Sequence, residues 1–238
     1  MTIGIRGTPQ ADFAGNGTDV TLTFDVAPQE GDVVLLFGGH GDGSSVIDTP
    51  SGYTVIATHT AATPIFGAWY KVMGASPDSD VTGDGGGTAG DVVAYVCYVL
   101  TGVDAAVLDA AVVENGPITA GGADCLEITT VTDGAWVFAL AGKQISDNVF
   151  DEPTGYSTVV RTGANSTQPY ATGGAYLEIA TAGAETPGTF FNWVSAPYYT
   201  FTVAIRPDQG GSSATDRLIY SPTRNVTRNV TRGVTEDF

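Results

Sequence analysis

The chain has 238 residues, of which 42% are hydrophobic and 15% are charged, and its formal net charge is −17. This composition excludes a disordered chain, which would be poorer in apolar residues and richer in charge. The negative charge argues against nucleic acid or membrane as a partner, because it repels phosphate backbones and anionic lipids. No apolar run reaches the roughly 20 residues that a membrane-spanning helix needs.

Runs of β-branched and aromatic residues, separated by turn-forming residues, recur through residues 1–207 and predict an all-β fold. None of them has a sustained 3.6-residue apolar period, so we expect almost no helix. The predicted strands are Thr2–Arg6, Val20–Val26, Asp32–Gly38, Tyr53–His59, Phe66–Val72, Val92–Val99, Ala106–Val113, Leu126–Val131, Ala135–Gly142, Tyr156–Arg161, Gly174–Ile179 and Tyr198–Ile205.

The chain is internally duplicated. GDVVLLF at 31–37 precedes PSGYT at 50–54, and GAWVFAL at 134–140 precedes PTGYS at 153–157. The two strand motifs and the two turn motifs are separated by the same 103 residues, so a strand and a turn recur in one register. We therefore expect a β-sandwich that is built from two copies of one unit.

The repeated strand is apolar on both faces. Val33, Leu35 and Phe37 share one face, and Val34 and Leu36 share the other. The strand one repeat later has the same pattern. This pattern predicts strands that are buried on both sides, either in the centre of packed sheets or under a covering loop.

Nothing between the two halves resembles a linker, since residues 102–109 run directly from one predicted strand into the next. We interpret residues 1–207 as one duplicated β-sandwich with interleaved halves, and two small domains as the alternative. Residues 208–220 have the composition of a flexible linker. Residues 221–238 predict an extended C-terminal arm.

The arm repeats Thr-Arg-x-Val with a four-residue period, and β-branched residues favour an extended backbone. In that backbone one side presents Arg224, Val226, Arg228, Val230, Arg232 and Val234. A polar extension of this kind cannot build its own core. We therefore expect these six residues to bind a partner, by adding a strand or by threading a groove between subunits. The alternative is that the arm folds back on its own acidic body.

Candidate metal ligands are few. A Gly-rich segment contains Asp78, Asp80, Asp84 and Asp91. This segment lacks the glycine and the closing glutamate of an EF-hand loop in register. His40 and His59 have no paired spacing of zinc ligands. We therefore predict no metal and no cofactor.

Catalytic motifs are also absent from the sequence, which has no nucleophile elbow, no His-Glu-x-x-His and no phosphate-binding loop. Asp151 and Glu152 are adjacent carboxylates, but neighbours on a strand point to opposite faces. Glycosidic chemistry needs two carboxylates roughly 5–10 Å apart in a cleft. We predict a protein that is not an enzyme.

Two cysteines, Cys97 and Cys125, lie in apolar runs, where a small buried side chain is the usual role. A disulfide between them requires that the two strands are neighbours. The sequence leaves both arrangements open.

Tyr53 and Tyr156 occupy the two equivalent turns. As exposed rings they would be platforms for a sugar, and as buried rings they would close the ends of the sandwich. Their symmetric recurrence favours the structural role. The sugar-binding role remains the alternative for both residues.

One pattern of segments resembles a domain of virion proteins of tailed bacteriophages. The resemblance is carried by GDVVLLF at 31–37, PSGYTV at 50–55, AWYKV at 68–72, AY at 94–95, LTGVD at 100–104 and TVAIRP at 202–207. Tryptophan is usual in that family where this chain has Tyr53 and Tyr156. The Thr-Arg-x-Val arm also resembles the ends of phage structural proteins. The resemblance implies a jelly-roll-like β-sandwich that is displayed on a virion.

We therefore expect a non-enzymatic structural component of a tailed-phage virion. It would be an exposed capsid-decoration or tail/fibre-attachment protein, anchored by its C-terminal arm. The expected partners are other virion proteins of the capsid or tail and further copies of the same chain in a homo-oligomer, with no nucleic acid and no membrane. The alternative is a carbohydrate-binding module that recognises a host surface glycan through Tyr53 or Tyr156.

Overall fold

The described residues of the protein form strands and turns, with no helix among them. They are defined by a computed structural model that covers 1–41, 46–119, 121–145, 150–164, 166–192 and 194–210. Within these ranges there is accordingly no helix of the length and apolarity that crossing a membrane requires. The predicted all-β class is confirmed.

Eighteen strands lie within the described ranges. The strands of the first half are β1 (Gly4–Ile5), β2 (Gln10–Gly15), β3 (Val20–Thr23), β4 (Val33–His40), β5 (Thr54–His59), β6 (Ile65–Val72), β7 (Asp80–Gly83) and β8 (Val92–Thr101). The strands of the second half are β9 (Val103–Leu108), β10 (Val113–Ile118), β11 (Asp124–Cys125), β12 (Ile128–Thr129), β13 (Ala135–Lys143), β14 (Val160–Ala164), β15 (Tyr170–Ile179), β16 (Ala184–Glu185), β17 (Gly188–Thr189) and β18 (Tyr198–Pro207).

Each half of the chain forms its own six-stranded antiparallel sheet. The first sheet has the order β1-β8-β4-β6-β5, and β2 also pairs with β8. The second sheet has the order β10-β18-β13-β15-β14, and β9 also pairs with β18. The two orders correspond strand by strand, so the duplication in the sequence is a duplication of a whole sheet. The halves contribute one sheet each and do not interleave, because each half supplies both neighbours of its own central strand.

The two sheets pack face to face over an aromatic inner layer. Phe66 stacks on Phe201 across the interface with ring centroids 4.7 Å apart, and Tyr98 meets Phe138 edge to face at 5.4 Å. The Tyr98 hydroxyl donates a hydrogen bond of 3.0 Å to the carbonyl oxygen of Gly174 in the opposite sheet. The inner layer therefore buries its polar group with a partner, as stable cores do. The predicted β-sandwich is confirmed.

The outer faces of the sheets are covered as well. The ribbon of β3 and β7 covers the first sheet, where Leu22, Val81 and Trp69 belong to one buried cluster. The pairs β11–β17 and β12–β16 cover the second sheet, where Cys125 and Ile128 are buried. Because of these outer layers, every residue of β4 and β13 is buried, as their two-sided apolar pattern predicts.

Among the strands of at least four residues, the sequence pattern missed three: β2, β7 and β10. All three lie at the edge of a sheet or ribbon and expose several of their residues. Edge strands have only one neighbour and tolerate polar residues and proline, such as Pro117 in β10, so their apolar alternation is weak. The strand predicted from Tyr156 begins at Val160 instead, because Tyr156 ends a turn and packs into the core.

A buried carboxylate joins the end of the second sheet to a loop. The side chain of Asp109 has no exposed surface and accepts hydrogen bonds from the backbone N–H groups of Val131 at 2.7 Å and Thr132 at 3.3 Å. Arg206 Nε lies 3.3 Å from its Oδ1. Burial raises the pKa of Asp109, but the hydrogen bonds from Thr132 and Val131 and the contact with Arg206 outweigh it. The net result is a lowered pKa.

We expect Asp109→Asn to lower the free energy of unfolding by about 1–3 kcal/mol at neutral pH, because it removes the charge from these hydrogen bonds. A carboxyl whose pKa is lower in the folded state stabilises the fold above its unfolded pKa. That stabilisation disappears as pH falls through the folded value. The free energies of unfolding of the unchanged protein and of Asp109→Asn, measured by urea unfolding over a pH series, should therefore become more similar below about pH 4. A difference that stays constant with pH would contradict this account.

Candidate functional site

A groove of about 410 Å³ opens on the outer face of the first sheet, beside the ribbon of β3 and β7. One wall consists of Pro50, Ser51, Tyr53 and Lys71, and the other wall is residues 78–82. We refer to this feature as the β7 groove. It combines an aromatic ring, charged groups and a strand edge in one depression.

A tight turn places Tyr53 in the first wall. The backbone N–H of Tyr53 donates a hydrogen bond of 3.0 Å to the carbonyl oxygen of Pro50. Gly52 has φ +78°, the left-handed conformation that glycine adopts at the third position of a type II turn. The repeated Pro-Ser/Thr-Gly-Tyr motif is therefore a turn signal that delivers the tyrosine to the start of β5.

Lys71 connects the two walls. Its Nζ lies 2.5 Å from Asp78 Oδ2 and 5.7 Å from the centroid of the Tyr53 ring. These positions give an ion pair across the groove and a cation–π contact with the ring. Burial raises the pKa of the Tyr53 phenol, so this side chain is neutral. Its hydroxyl has no hydrogen-bond partner among the described residues.

The second wall is the outer edge of β7. The ribbon pairs Thr23 with Asp80, and the N–H of Phe24 donates to the carbonyl oxygen of Ser79 at 3.0 Å. Backbone groups of an antiparallel pair point alternately toward and away from the partner strand. The N–H and C=O groups of Asp80 and Thr82 therefore point away from β3.

This edge faces the groove. Strand β3 contacts β2 and β8, so β7 is the ribbon strand on the side of β5 and β6, where Tyr53 and Lys71 lie. The ribbon has two strands, and no further strand of the described ranges pairs with β7. Within the described ranges, the backbone groups of Asp80 and Thr82 that face the groove therefore have no strand partner.

The second half of the chain does not repeat this groove. Lys71 pairs with Val34 of β4, and the equivalent Val137 of β13 pairs with Leu177. An apolar residue thus replaces the cation. The groove is therefore a property of the first half, and a comparison of the two halves is the sequence signal that would have found it.

Tyr156 lies in a different environment from Tyr53. It is 7% exposed within the buried cluster under the second outer layer, and its hydroxyl donates a hydrogen bond of 3.2 Å to Glu185. Burial raises its pKa. This geometry fits the structural role that the sequence favoured. The two tyrosines lie on opposite sheets and do not form one site.

The four candidate calcium ligands serve separate contacts. Asp78 pairs with Lys71, and the Ser79 hydroxyl donates a hydrogen bond of 2.9 Å to Asp80 Oδ2. Asp84 Oδ2 accepts a hydrogen bond of 2.7 Å from the N–H of Asp48. Asp91 lies elsewhere: its side chain contacts His40, the last residue of β4. In the part of the chain that the structure describes, no three His, Cys, Asp or Glu residues are grouped to hold a metal ion.

Both histidines are buried in contacts within the fold. His40 Nδ1 lies 2.8 Å from Asp91 Oδ2, and neither side chain has exposed surface. The ring of His59 stacks on Tyr199 with centroids 4.0 Å apart, and burial lowers the pKa of His59. These positions join strands rather than present an imidazole to a ligand.

Asp151 and Glu152 line a second cleft of about 400 Å³, together with Thr8, Pro9 and residues 158–161. Arg161 Nη1 lies 3.3 Å from Asp151 Oδ1. The Glu152 carboxylate accepts a hydrogen bond of 3.1 Å from the N–H of Val159. Both carboxylates therefore hold the loop before β14.

The two cysteines are free thiols in opposite outer layers, Cys97 under the ribbon of the first sheet and Cys125 under the second outer layer. Burial raises the pKa of each thiol to about 12. The distance between the layers excludes a bridge between them.

The predicted partner-binding residues of the arm lie outside the described residues, as does most of the predicted linker. These residues are Arg224, Val226, Arg228, Val230, Arg232 and Val234. The chain leaves the second sheet after Pro207, and the N–H of Asp208 donates a hydrogen bond of 2.8 Å to the carbonyl oxygen of Gly102. This contact fixes the point from which the arm departs.

Comparisons with protein-family models, curated proteins and solved structures found no match. The interpretation of the β7 groove therefore depends on its own chemistry. A strand edge with free backbone groups, beside two carboxylates and a tyrosine, suits an extended and positively charged segment of polypeptide.

Proposed function

We propose that the chain is a non-enzymatic structural component of a tailed-phage virion, an exposed capsid-decoration or tail/fibre-attachment protein anchored by its C-terminal arm. The main support is that the sandwich is complete without the arm. Strand β18 ends at Pro207 in the middle of the second sheet, between β10 and β13. The described sheets therefore do not need residues 221–235 to complete them, which supports a role of these residues in contact with another protein.

The distribution of charge supports the arm as the anchor. Residues 1–207 hold five Lys and Arg against 22 Asp and Glu, whereas 221–235 hold three Arg and no acid. Two such bodies repel each other, and the arm of one copy is attracted to the body of its neighbour. Complementary charge of this kind steers association and fixes register.

The contacts of three carboxylates support a role outside catalysis. Asp91, Asp109 and Glu152 each accept hydrogen bonds from backbone N–H groups that shape a loop. Glycan recognition has less support, because Tyr156 is buried and Lys71 lies over the ring of Tyr53.

Deletion of residues 211–238 tests the anchor. We expect the shortened chain to stay folded, since Asp208 keeps its contact with Gly102, and to be missing from purified particles. The measurement is the amount of the chain in virions assembled with the remaining virion proteins, with circular dichroism as the check on folding. Replacing 211–220 by a Gly/Ser segment of equal length is the matched control and should preserve incorporation. Normal incorporation of the deleted form would remove the proposal.

A further inference from the structure

We propose that the β7 groove of one copy receives residues 221–235 of a neighbouring copy as an added strand, so that the arms join copies of this chain into an oligomer. The inference rests on the proposed anchor function and names the partner of the arm: a second copy of the same chain. It also assigns a role to a groove that the sandwich itself does not use.

The backbone of the groove matches an extended segment. Asp80 and Thr82 present N–H and C=O groups that no strand of the described ranges uses, which is the requirement for strand addition. Strand β7 has four residues, the length of one Thr-Arg-x-Val period. Pro222 is the one residue of 221–235 that lacks a backbone donor. Residues 223–235 can therefore pair with the edge in successive registers.

The side chains are complementary in charge. In a paired strand, residues opposite each other project to the same face. Asp80 and Thr82 project outward, while Val81 is buried beneath the ribbon. An arm whose arginines share the outward face places a guanidinium beside Asp80. Asp78 is a second carboxylate at the same wall, and an arm arginine there would share it with Lys71.

The free strand edge also needs a cover. Unpaired edges are sites of association between chains, and the arm provides a specific partner of matching length and charge. The groove lies on the first sheet alone, because Leu177 replaces Lys71 in the second. Each copy thus offers one groove and one arm, which allows a reciprocal exchange that closes on itself.

The position of the arm allows this exchange. Val72, Val33 and Leu100 are in register on adjacent strands, so the end of β6 lies near Gly102, where the chain leaves the body. The groove is two strands away from that point and one layer further out. At about 5 Å per strand and about 10 Å per layer, the path between them is about 20 Å. Residues 211–220 span at most about 35 Å, more than this distance, so the linker is long enough to bring the arm to a groove on its own body or on an adjacent copy.

The experiment uses the full chain and two charge-reversed variants. The groove variant carries Asp78→Lys and Asp80→Lys, and the arm variant carries Arg224→Glu, Arg228→Glu and Arg232→Glu. The matched control for the loss of negative charge is Glu127→Lys with Glu178→Lys, two exposed acids of the second half. Association is measured by sedimentation equilibrium over a range of concentrations.

We expect the unchanged chain to self-associate and each variant alone to associate about tenfold more weakly, because two or three opposite-charge pairs become like-charge pairs. The control should associate like the unchanged chain. An equimolar mixture of the two variants should recover association, since the arm Glu residues of one match the groove Lys residues of the other. Such recovery occurs only between copies.

Two outcomes would overturn the proposal. One is a monomeric unchanged chain, because the arm would then bind its own body or another virion protein. Another is a groove variant that associates normally. If that variant also loses retention on a glycan array, the groove is a sugar site instead. In each case loss of the 211–238 deletion mutant from particles would leave the anchor function standing, and its normal incorporation would remove both proposals.

Discussion

Replacing Phe201 with alanine should lower the free energy of unfolding by about 3–5 kcal/mol, the usual effect of deleting a large buried ring. Phe201 has no exposed surface and lies on β18, between the two sheets. Its ring stacks on Phe66 at 4.7 Å and meets Tyr199 edge to face at 5.4 Å. Both sheets are held by their own ladders, so neither can move inward to fill the cavity, and the lost contacts are not replaced.

The measurement is denaturant unfolding followed by tryptophan fluorescence and circular dichroism. Phe13→Ala is the matched control, because Phe13 lies on the edge strand β2 and is 46% exposed. We expect this change to cost about 0.5 kcal/mol or less. Similar losses for the two variants would show that the space between the sheets is not the main core.

Replacing Asp91 with alanine should lower the free energy of unfolding by a similar amount, about 3–5 kcal/mol, because the change leaves buried polar groups without a partner. Asp91 Oδ1 accepts a hydrogen bond of 3.0 Å from the N–H of Gly41, and Oδ2 lies 2.8 Å from His40 Nδ1. Both side chains of the pair are fully buried. The pair lies where the first half meets Gln168 of the second half, so its loss weakens the seam between them.

The control for this variant is Asp78→Ala, which removes an ion pair whose carboxylate is 37% exposed. Solvent screens such a pair, and we expect a loss within about 1 kcal/mol. Asp91→Asn keeps an acceptor for the N–H of Gly41, so its loss of stability should lie between those of Asp91→Ala and Asp78→Ala. Equal values of the free energy of unfolding for Asp91→Ala and Asp78→Ala would contradict the assigned role of the buried pair.

The sequence predicted the centre of the fold better than its edges. The two-sided apolar pattern of 31–37 and 134–140 identified β4 and β13 as buried strands, and this is confirmed by the burial of all their residues. Strand β7 was missed because Asp-Val-Thr-Gly has one buried side chain and reads as a turn. Its pairing with β3, far away in the chain, is what makes it a strand.

The groove was predicted only in part. Tyr53 was identified from its repeated turn, but Lys71 and Asp78 were not connected with it. Their meeting depends on the position of the ribbon over β6, which no local pattern encodes. The same limit applies to Tyr156, whose burial follows from the layer above it and not from its own motif.

The arrangement of one sheet per half has a consequence for how such a chain can arise. The halves are connected along the chain by a single residue, Gly102, between β8 and β9. Either half alone would present the aromatic rings of its inner face to water, so one unit is stable only against another. The molecule is in effect a covalently fused pair of subunits. Loss of either half would leave an aggregation-prone single sheet. Outside the shared face the two halves can diverge, as at Lys71 and Leu177, so that one half acquires a surface that the other half lacks.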